Sequence, residues 1–359
     1  MTFQIAKSVL NFSKYVLFAG EIVNLRVVLN VYMILRLTFA CREEKELSRE
    51  ETLNTAEHVL KSAGFKISKR CISRPSCFCM AARRSEDLAI IKVPSDLGKI
   101  SLKDALQMQA ISSLFSATPL FVGNMARDRT LEDDTVYSRY DVYAVTLKTL
   151  DDFVNRRMMP LVEAGPGGYY VRLDGESIRQ RRMKLGLSVG KLAEQLRISR
   201  RTLYGYERGM VKASVSAAYN LEWILGMPVV KPIDIFKPAP PDAGFFATAK
   251  RMIVKNRFLK NVMKKLILMD FKVAATTRAP FDFVAQPPNK DVKIIGGVTR
   301  RGEKSINERV EEILSISEVV KAQPLFITDG NLVPEIDIPL IASDELEQFH
   351  LAEDWVSRF

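Results

Sequence analysis

The residues with the clearest chemistry form a short run of hydroxyl, guanidinium and phenol side chains near the middle of the chain. An arginine can chelate the O6 and N7 atoms of guanine, a pairing that discriminates against other bases by about 1–3 kcal/mol. It can equally clamp a phosphate, which positions a protein without reading sequence. We predict that this surface contacts DNA through Ser199, Arg200, Arg201, Thr202 and Tyr204, together with Lys191.

Three short helices are predicted to position these side chains. Asp174 or Ser177 can cap the first helix, and Gly186 ends it. Ser199 is placed to cap the third helix, over about residues 199–208, and Gly209 stops it. The positions predicted to face inward and fix the angle between the helices are Leu192, Ala193, Leu196, Leu203 and Tyr206, with Ile198 in the turn. The pattern over residues 175–226 predicts a helix-turn-helix (HTH) unit suited to the major groove.

The HTH unit resembles the lambda-repressor/Cro-like family over about 55 residues, most specifically in Ser199-Arg-Arg-Thr-Leu-Tyr-Gly-Tyr-Glu-Arg-Gly209. The resemblance implies that Arg200, Arg201 and Tyr204 touch bases or phosphates, whereas Glu207 and Arg208 hold the motif together. Val189-Gly190 departs from the family, which often has a polar phosphate-contacting residue there. The alternative is a four-helix module for protein contacts. The cationic and aromatic outer face favours DNA.

Net charge points in the same direction. The chain of 359 residues carries a formal charge of +11, typical of a protein that binds nucleic acid or an anionic membrane surface, although it could simply aid solubility. Eleven cations against five anions fall between Asp174 and Lys231. A second basic run spans residues 250–265, and the C-terminus is acidic. The positive field is therefore local, as a groove-facing surface requires.

The segments on either side of the HTH unit resemble each other. Residues 64–68 match 270–274, 78–82 match 281–285, 88–93 match 292–297, and 119–122 match 324–327, at offsets of 203 to 206. Chance similarity between apolar strands is the alternative, but the constant order and spacing favour a duplication. Each copy is predicted to run helix, strand, strand, strand, helix, strand, which gives helices packed on a central sheet.

The predicted strand order of both copies resembles the PD-(D/E)xK nuclease fold, whose acidic pair and lysine hold Mg²⁺ and activate water. The corresponding positions are Cys79, Ile90 and Lys92 in the first copy, and Asp282, Ile294 and Gly296 in the second. Neither copy retains the carboxylate pair. We therefore expect a nuclease-like scaffold without catalysis. The arrangement of an HTH between two such domains looks like a family of archaeal HTH-type transcriptional regulators.

Other kinds of site find little basis in the sequence. The chain has two histidines, and Cys71, Cys77 and Cys79 lack the partners that a zinc spacing needs, so neither metal nor cofactor is expected. The few cysteines indicate a reduced, cytoplasmic protein. The first forty residues are apolar but interrupted by charges, so they predict no membrane span. They are either an amphipathic packing helix or an extension upstream of a start at Met33.

The predicted fold class is multidomain α+β, with an all-α lambda-repressor-like HTH domain between two similar α/β (restriction-endonuclease-like) domains. We expect a non-enzymatic, sequence-specific transcriptional regulator that binds double-stranded DNA as a homodimer, and whose flanking domains dimerise or sense an unidentified effector. A Mg²⁺-dependent nuclease or nuclease-associated subunit is the alternative, and a protein-interaction scaffold is a third possibility.

The predicted boundaries are an apolar extension at 1–45, the first α/β copy at 46–163, a linker at 164–170, the HTH domain at 171–232, a Pro-rich linker at 233–247, the second copy at 248–330 and an acidic segment at 331–359.

Overall fold

The computed structural model describes residues 48–127, 129–237, 256–288, 292–299, 303, 305–328 and 334–348. The apolar extension, the Pro-rich segment from Pro238 onward, the basic residues 250–255 and the end of the acidic segment lie outside this range. In the part of the chain that is described, no helix is long and apolar enough to cross a membrane.

Contacts within the chain divide it into two compact units. The smaller comprises Gly167–Lys231, and the larger contains the described residues from 48–166 and 232–348. The larger unit therefore holds both α/β copies. Its helices are α1 (Arg49–Ser62), α2 (Leu102–Leu114), α3 (Leu147–Arg156), α8 (Arg257–Leu268), α9 (Ile306–Val320) and α10 (Ser343–Gln348), and the helices of the smaller unit are α4 (Gly175–Lys184), α5 (Val189–Gln195), α6 (Arg200–Glu207) and α7 (Val215–Leu225).

The first copy forms a mixed sheet in the order β1-β2-β3-β4-β8-β7-β9. The pairs β1/β2 and β2/β3 are antiparallel, whereas β3/β4 and β4/β8 are parallel. No element after β4 was predicted for this copy, but five further strands and α3 follow within the same unit. The strands are β1 (Lys66–Ile67), β2 (Met80–Arg84), β3 (Asp87–Lys92), β4 (Thr118–Val122), β7 (Thr135–Arg139), β8 (Val142–Val145) and β9 (Val162–Gly165), with a separate hairpin of β5 (Met125–Ala126) and β6 (Arg129–Thr130).

The second copy repeats the same pairing in a sheet of order β13-β14-β15-β16-β17. Its first two pairs are antiparallel and its last two parallel, as in the first copy. Strand β17 takes the place that β8 has beside β4, and each is followed by a helix. The strands are β13 (Lys272–Ala275), β14 (Phe283–Gln286), β15 (Ile294–Val298), β16 (Gln323–Thr328) and β17 (Leu340–Ala342).

The strand registers fix which residues of the two copies are equivalent. Ile90 lies beside Pro119, and Ile295 lies beside Pro324. The third strands therefore match at an offset of 205, one more than the sequence match of residues 88–93 with 292–297. The run of two isoleucines and two glycines in β15 allows either alignment, and only the pairing to β16 distinguishes them. Ile295 is therefore the equivalent of Ile90, and Gly297 is the equivalent of Lys92. The sequence match had given Ile294 and Gly296 instead.

Successive side chains of each strand point to opposite faces of its sheet, and the faces of the two sheets pack into three hydrophobic cores. Met80, Ala82, Ile91 and Leu120 face the core formed with α1 and α3. The matching face of the second sheet packs on α8. The opposite faces of both sheets share one central core with α2 and α9. The two copies are therefore layered against each other, and neither sheet is left with an apolar face exposed.

Equivalent residues meet where the two copies join. Phe78 and Phe281, which match at an offset of 203, lie with ring centroids 6.4 Å apart. Arg74 of the first copy also pairs with Asp282 of the second at 3.1 Å, and Arg278 of the second pairs with Asp104 of the first at 2.8 Å, although these two carboxylates occupy different positions in their copies. Contact between a residue and its own equivalent is the property of a two-fold interface. The duplicated unit is an internal dimer with pseudo-two-fold symmetry.

Two segments outside the predicted α/β boundaries belong to these cores and sheets. Ile233, Ile235 and Phe236, which the sequence analysis placed in the Pro-rich linker, are buried in the core of the first copy. Strand β17, from the acidic segment, pairs with β16. Each of these segments is too short to show a periodic pattern in the sequence.

The smaller unit adds three strands to its four helices. Strand β10 (Gly168–Leu173) pairs with β11 (Ala213–Ser214) and with β12 (Val230–Lys231). Because Arg172 pairs with Lys231, the entry and exit of this unit lie side by side. The buried carboxylate of Glu222 accepts hydrogen bonds from the backbone of Val229 and Val230, which fixes the exit strand.

Candidate nucleic-acid interface

Each helix of the smaller unit begins at a polar cap. Asp174, Ser188, Ser199 and Ser214 each accept a backbone hydrogen bond from the residue three positions on. Such caps satisfy amide groups that the first turn leaves unpaired. The caps predicted at Asp174 and Ser199 are present, and Gly186 adopts the left-handed backbone expected after α4. The sequence thus sets where these helices begin.

Buried side chains fix the angle between α5 and α6. Leu192, Ala193 and Leu203 are almost fully buried. Leu196 and Tyr206 are also buried. These are the inward positions that helical spacing predicted. Burial of the inner face of α6 leaves its opposite face to carry the arginines.

An ion pair joins α4 to α6 inside the unit. The guanidinium of Arg182 donates to both carboxylate oxygens of Glu207, at 2.5 and 3.1 Å, and also to the carbonyl of Leu187. The hydrogen bond that Arg182 donates to Glu207 raises the pKa of Arg182 above its ordinary value. The structural role implied for Glu207 by the family resemblance has here a geometric basis. Its partner, 25 residues away, was not predicted.

The predicted contact residues gather at the start of α6 and of α5. Ser199, Arg200, Arg201 and Lys191 are exposed, and Thr202 is half-buried. The hydroxyls of Ser199 and Thr202 lie 2.8 Å apart, and Ser199 also caps the helix. Among the described residues, no carboxylate lies within ion-pair distance of Lys191, Arg200 or Arg201. Their positive charge is therefore directed to solvent.

The side chain of Arg200 covers the departure from the family pattern at Gly190. A Cβ atom added at Gly190 would lie 2.9 Å from the Nε atom of Arg200. The glycine thus makes room for the guanidinium over the first turn of α5. A cation from α6 occupies the position at which the family pattern often has a polar side chain on α5.

Arg208 lies on the outer surface of the unit, whereas the family resemblance implied that it holds the motif together. It is exposed, and its guanidinium lies 4.9 Å from the ring centroid of Tyr204, which is itself 47% exposed. A cation over a tyrosine face is a favourable contact of about 0.5–1 kcal/mol at exposed sites. Arg208 therefore extends the outer surface of α6 and orients Tyr204. The i, i+4 spacing of these two residues was the sequence signal for this pair.

In the larger unit, the nuclease-like positions do not assemble a metal site. In the first copy Cys79 and Ile90 are buried, and the Nζ atom of Lys92 donates to the carbonyl of Ser76 at 3.0 Å. In the second copy Asp282 is fully buried, pairs with the guanidinium groups of Arg309 and Arg74, and accepts from the backbone of Val298. Two arginines already balance this carboxylate. The residues present do not fit Mg²⁺, which requires oxygen ligands.

In the first copy Cys77 and Cys79 are buried and Cys71 is half-buried. Cys71, Cys77 and Cys79 are free thiols. Burial raises the pKa of Cys77 to about 12 and that of Cys71 well above its ordinary value. A thiol with so high a pKa is neutral at pH 7, and the thiolate is the metal ligand and nucleophile. Within the described ranges no three His, Cys, Asp or Glu side chains gather as a metal cluster.

Comparison with known proteins separates the same two regions. Residues 49–160 match the family model of a PD-(D/E)XK superfamily domain, and residues 178–230 match that of a helix-turn-helix. These matches confirm the predicted combination of fold types. No solved structure matches the chain.

Relatives named "Putative HTH-type transcriptional regulatory protein" align with most of the chain. The relative from Methanococcoides burtonii is 32% identical over 86% of this chain and 95% of its own length. The relative from Methanocella arvoryzae is 34% identical over 84% of this chain and 93% of its own length. The relative from Pyrococcus furiosus is 32% identical over 84% and 94% respectively.

Proposed function

Because the chain belongs to the archaeal family of HTH-type transcriptional regulatory proteins, we propose that it regulates transcription by binding specific DNA sequences through α6. The observation that carries the proposal is the outer face of α6. It combines unpaired, exposed arginines with a tyrosine, while the inner face of the same helix is buried. Arginine and tyrosine also occur at protein interfaces, but the core of such an interface is depleted of charge, whereas here Arg200, Arg201 and Lys191 lie together with no carboxylate beside them among the described residues.

Each side chain has a proposed role at the groove. Arg201 and Tyr204 project from the start and middle of α6 toward base edges. Arg200, held over Gly190, and Lys191 contact phosphates on the adjacent backbone. Ser199 and Thr202 hold the first turn in place, and their hydroxyl groups donate hydrogen bonds to phosphate oxygens of the DNA backbone. Phosphate contacts fix the register of the helix, and the base contacts supply sequence preference.

Substitution of the two adjacent arginines tests the recognition helix. A duplex selected by the wild-type protein from a random pool serves as the probe. Arg200→Ala with Arg201→Ala should lose about 1–3 kcal/mol of binding from the base contact of Arg201, and a further amount, equal for all sequences, from the phosphate contact of Arg200. The measurement is an electrophoretic mobility shift titration, with circular dichroism to confirm folding.

A control variant removes the same charge from another helix of the unit. Arg179→Ala with Lys184→Ala takes two exposed cations from α4. It should reduce affinity far less than the α6 variant and leave discrimination against a scrambled duplex intact. Normal operator binding by the α6 variant would overturn the assignment of α6. An affinity independent of salt would overturn DNA binding through phosphates and favour the protein-interaction scaffold.

The PD-(D/E)XK match favours a second candidate, a Mg²⁺-dependent nuclease. We propose instead that the α/β copies are not catalytic, because Asp282 is held between two arginines and the first copy has Cys79 and Ile90 at the acidic positions. Supercoiled plasmid incubated with the protein and Mg²⁺ or Mn²⁺ should stay intact. Nicking that co-purifies with the wild type and is lost in Asp282→Asn would contradict this proposal.

Two chains are proposed to act together on DNA. The described part of the chain carries one HTH unit, whereas the α/β copies are already paired within the chain. A two-fold related DNA site would therefore need a second chain to supply its second HTH. Light scattering of the complex with the selected duplex should give two chains per full site, and one chain per full site would contradict the homodimer. A cytoplasmic location, where archaeal DNA is transcribed, is part of the same proposal.

A further inference from the structure

The two sides of the internal dimer are bridged differently. On one side the first copy is tied to α9 of the second by charged contacts. Lys66 pairs with Glu318, and Lys69 pairs with Glu311 at 2.7 Å. The guanidinium of Arg83 donates to the carbonyl of Val319 at 2.6 Å. A depression of about 590 Å³ on this side is lined by Glu311 and Glu318 and also by Lys69, so its charges are already paired within the protein.

Among the residues that the structure describes, the pairs equivalent to Lys66–Glu318 and Lys69–Glu311 are absent from the other side. The registers place Lys272 and Gln286 at the positions of Lys66 and Arg83. Helices α2 and α9 match at an offset of 205, since Ser116 and Lys321 take up the same left-handed conformation after them. The counterparts of Glu318, Glu311 and Lys69 are therefore Ser113, Leu106 and Ala275. Lys272 thus keeps a lysine at the position of Lys66, but Ser113 stands at the position of its carboxylate partner Glu318.

A cavity of about 590 Å³ lies where these bridges are absent. It is formed by α2 of the first copy and by β13, β14 and α8 of the second. Its walls include Ile111, Leu114, Met263 and Val284, and the cations at its edge are Lys272 and Lys293. Among the described residues, no carboxylate pairs with either lysine. The volume falls within the range of about 300–1,000 Å³ usual for small-molecule sites.

We propose that this cavity binds an amphipathic organic anion, with an apolar body against α2 and β14 and its anionic group between Lys272 and Lys293. The ligand would supply the negative charge that Glu318 supplies to Lys66 on the opposite side. Apolar walls with a few polar groups that orient the ligand are the usual composition of such sites. The site lies wholly in the duplicated unit, so it does not rest on the proposed DNA binding.

A fluorescent anion and its neutral counterpart test the charge requirement. 8-Anilinonaphthalene-1-sulfonate has an apolar body with one sulfonate, and N-phenyl-1-naphthylamine has the same body without it. Titrated into the full chain, the sulfonate should saturate one site and bind about tenfold or more tightly than the neutral compound. Hydrogen exchange should show that the sulfonate protects α2 and β13.

Variants chosen from the pseudo-symmetry locate the site. Lys272→Met and Lys293→Met should each weaken binding of the sulfonate by about tenfold. Ser113→Glu should abolish it, because the new carboxylate recreates the pair that Glu318 makes with Lys66. The matched control Lys66→Met removes the same charge from the opposite side and should leave binding unchanged. Because Ser113 and Lys272 are both exposed, these variants are expected to fold normally.

Several outcomes would overturn the proposal. Equal affinity for the sulfonate and the neutral compound would remove the role of the lysines. Undiminished binding by Ser113→Glu, or equal effects of Lys66→Met and Lys272→Met, would place the probe elsewhere. Absence of saturable binding would also refute the proposal. None of these results depends on whether the protein binds DNA, so the two proposals fail or stand separately.

Discussion

At the scale of single residues, a buried pair of charges holds the HTH unit together. The side chains of Arg182 and Glu207 are 10% and 7% exposed, and they face each other in a two-pronged arrangement. Each of these buried charges has lost most of its hydration, and only the opposite charge of its partner can replace that stabilisation. Removal of one member should therefore be more harmful than removal of both.

A double-mutant cycle checks this expectation. Arg182→Met should destabilise the HTH unit by about 3–5 kcal/mol, because it leaves the carboxylate of Glu207 buried and unpaired. Adding Glu207→Met should recover a large part of that loss. Urea unfolding followed by the fluorescence of Trp223, which lies on α7, measures the free energy of unfolding for each variant. Equal instability of the single and double variants would contradict the pairing.

Only some of these residue contacts could be predicted from the sequence. The caps at Asp174 and Ser199 depend on local hydrogen bonds within three residues, so the sequence predicts them directly. The Arg182–Glu207 pair depends on how two helices cross, which local spacing does not contain. The placement of Arg200 over Gly190 likewise requires the angle between α5 and α6.

At the scale of helices and strands, two glycines of the HTH unit have different functions. A Cβ atom added at Gly175 would lie 2.3 Å from the carbonyl oxygen of Glu207, so α4 and α6 approach through bare backbone. A Cβ atom at Gly190 would meet only the far end of the Arg200 side chain, at 2.9 Å from Nε. Backbone cannot yield easily, whereas a long side chain can turn aside.

The two alanine substitutions should separate stability from DNA affinity. Gly175→Ala should cost roughly 1–3 kcal/mol of stability or more, as overpacking does. Gly190→Ala should leave stability almost unchanged, since alanine favours the helix, but it should weaken DNA binding by displacing Arg200. Thermal unfolding and mobility shift titrations report the two quantities. A strongly destabilised Gly190→Ala, or a fully stable Gly175→Ala, would contradict the packing described.

The sequence predicted the element types better than their extent. Apolar runs identified the first strands of each copy, and the duplication was recognisable from four matched segments. The matching of β3 with β15 was wrong by one residue because Ile-Ile-Gly-Gly carries no distinct alternation. Strands β7 and β8 form a local hairpin, but they join the sheet through the long-range pairings of β8 with β4 and of β7 with β9. The short buried segment around Phe236 likewise joins the core only through long-range contacts.

At the scale of the whole molecule, the HTH unit is inserted between two chain segments that lie close together in the larger unit. Ile233 donates a backbone hydrogen bond to the carbonyl of Pro160 at 2.8 Å. Within the HTH unit, Arg172 pairs with Lys231. Both units thus bring the entering and leaving chain side by side, an arrangement that tolerates insertion of one domain into another.

Excision of the inserted unit should leave the internal dimer intact. Replacing residues 167–231 by a flexible linker of about eight Gly and Ser residues spans up to about 26 Å. The shortened protein should unfold in one cooperative transition, because both copies share the central core that contains Phe78 and Phe281. Calorimetry measures the transition, and hydrogen exchange should show both copies protected together. Unfolding of the two copies at separate temperatures would contradict the shared core.

The covalent joining of the two α/β copies changes how their surfaces can evolve. In a homodimer every substitution is present in both subunits, so a residue that suits one face must also be tolerated on the equivalent face. Here a single codon alters one face alone. The glutamate that neutralises Lys66 and the serine at the equivalent place near Lys272 could therefore arise independently, so each face can acquire a function that the other lacks.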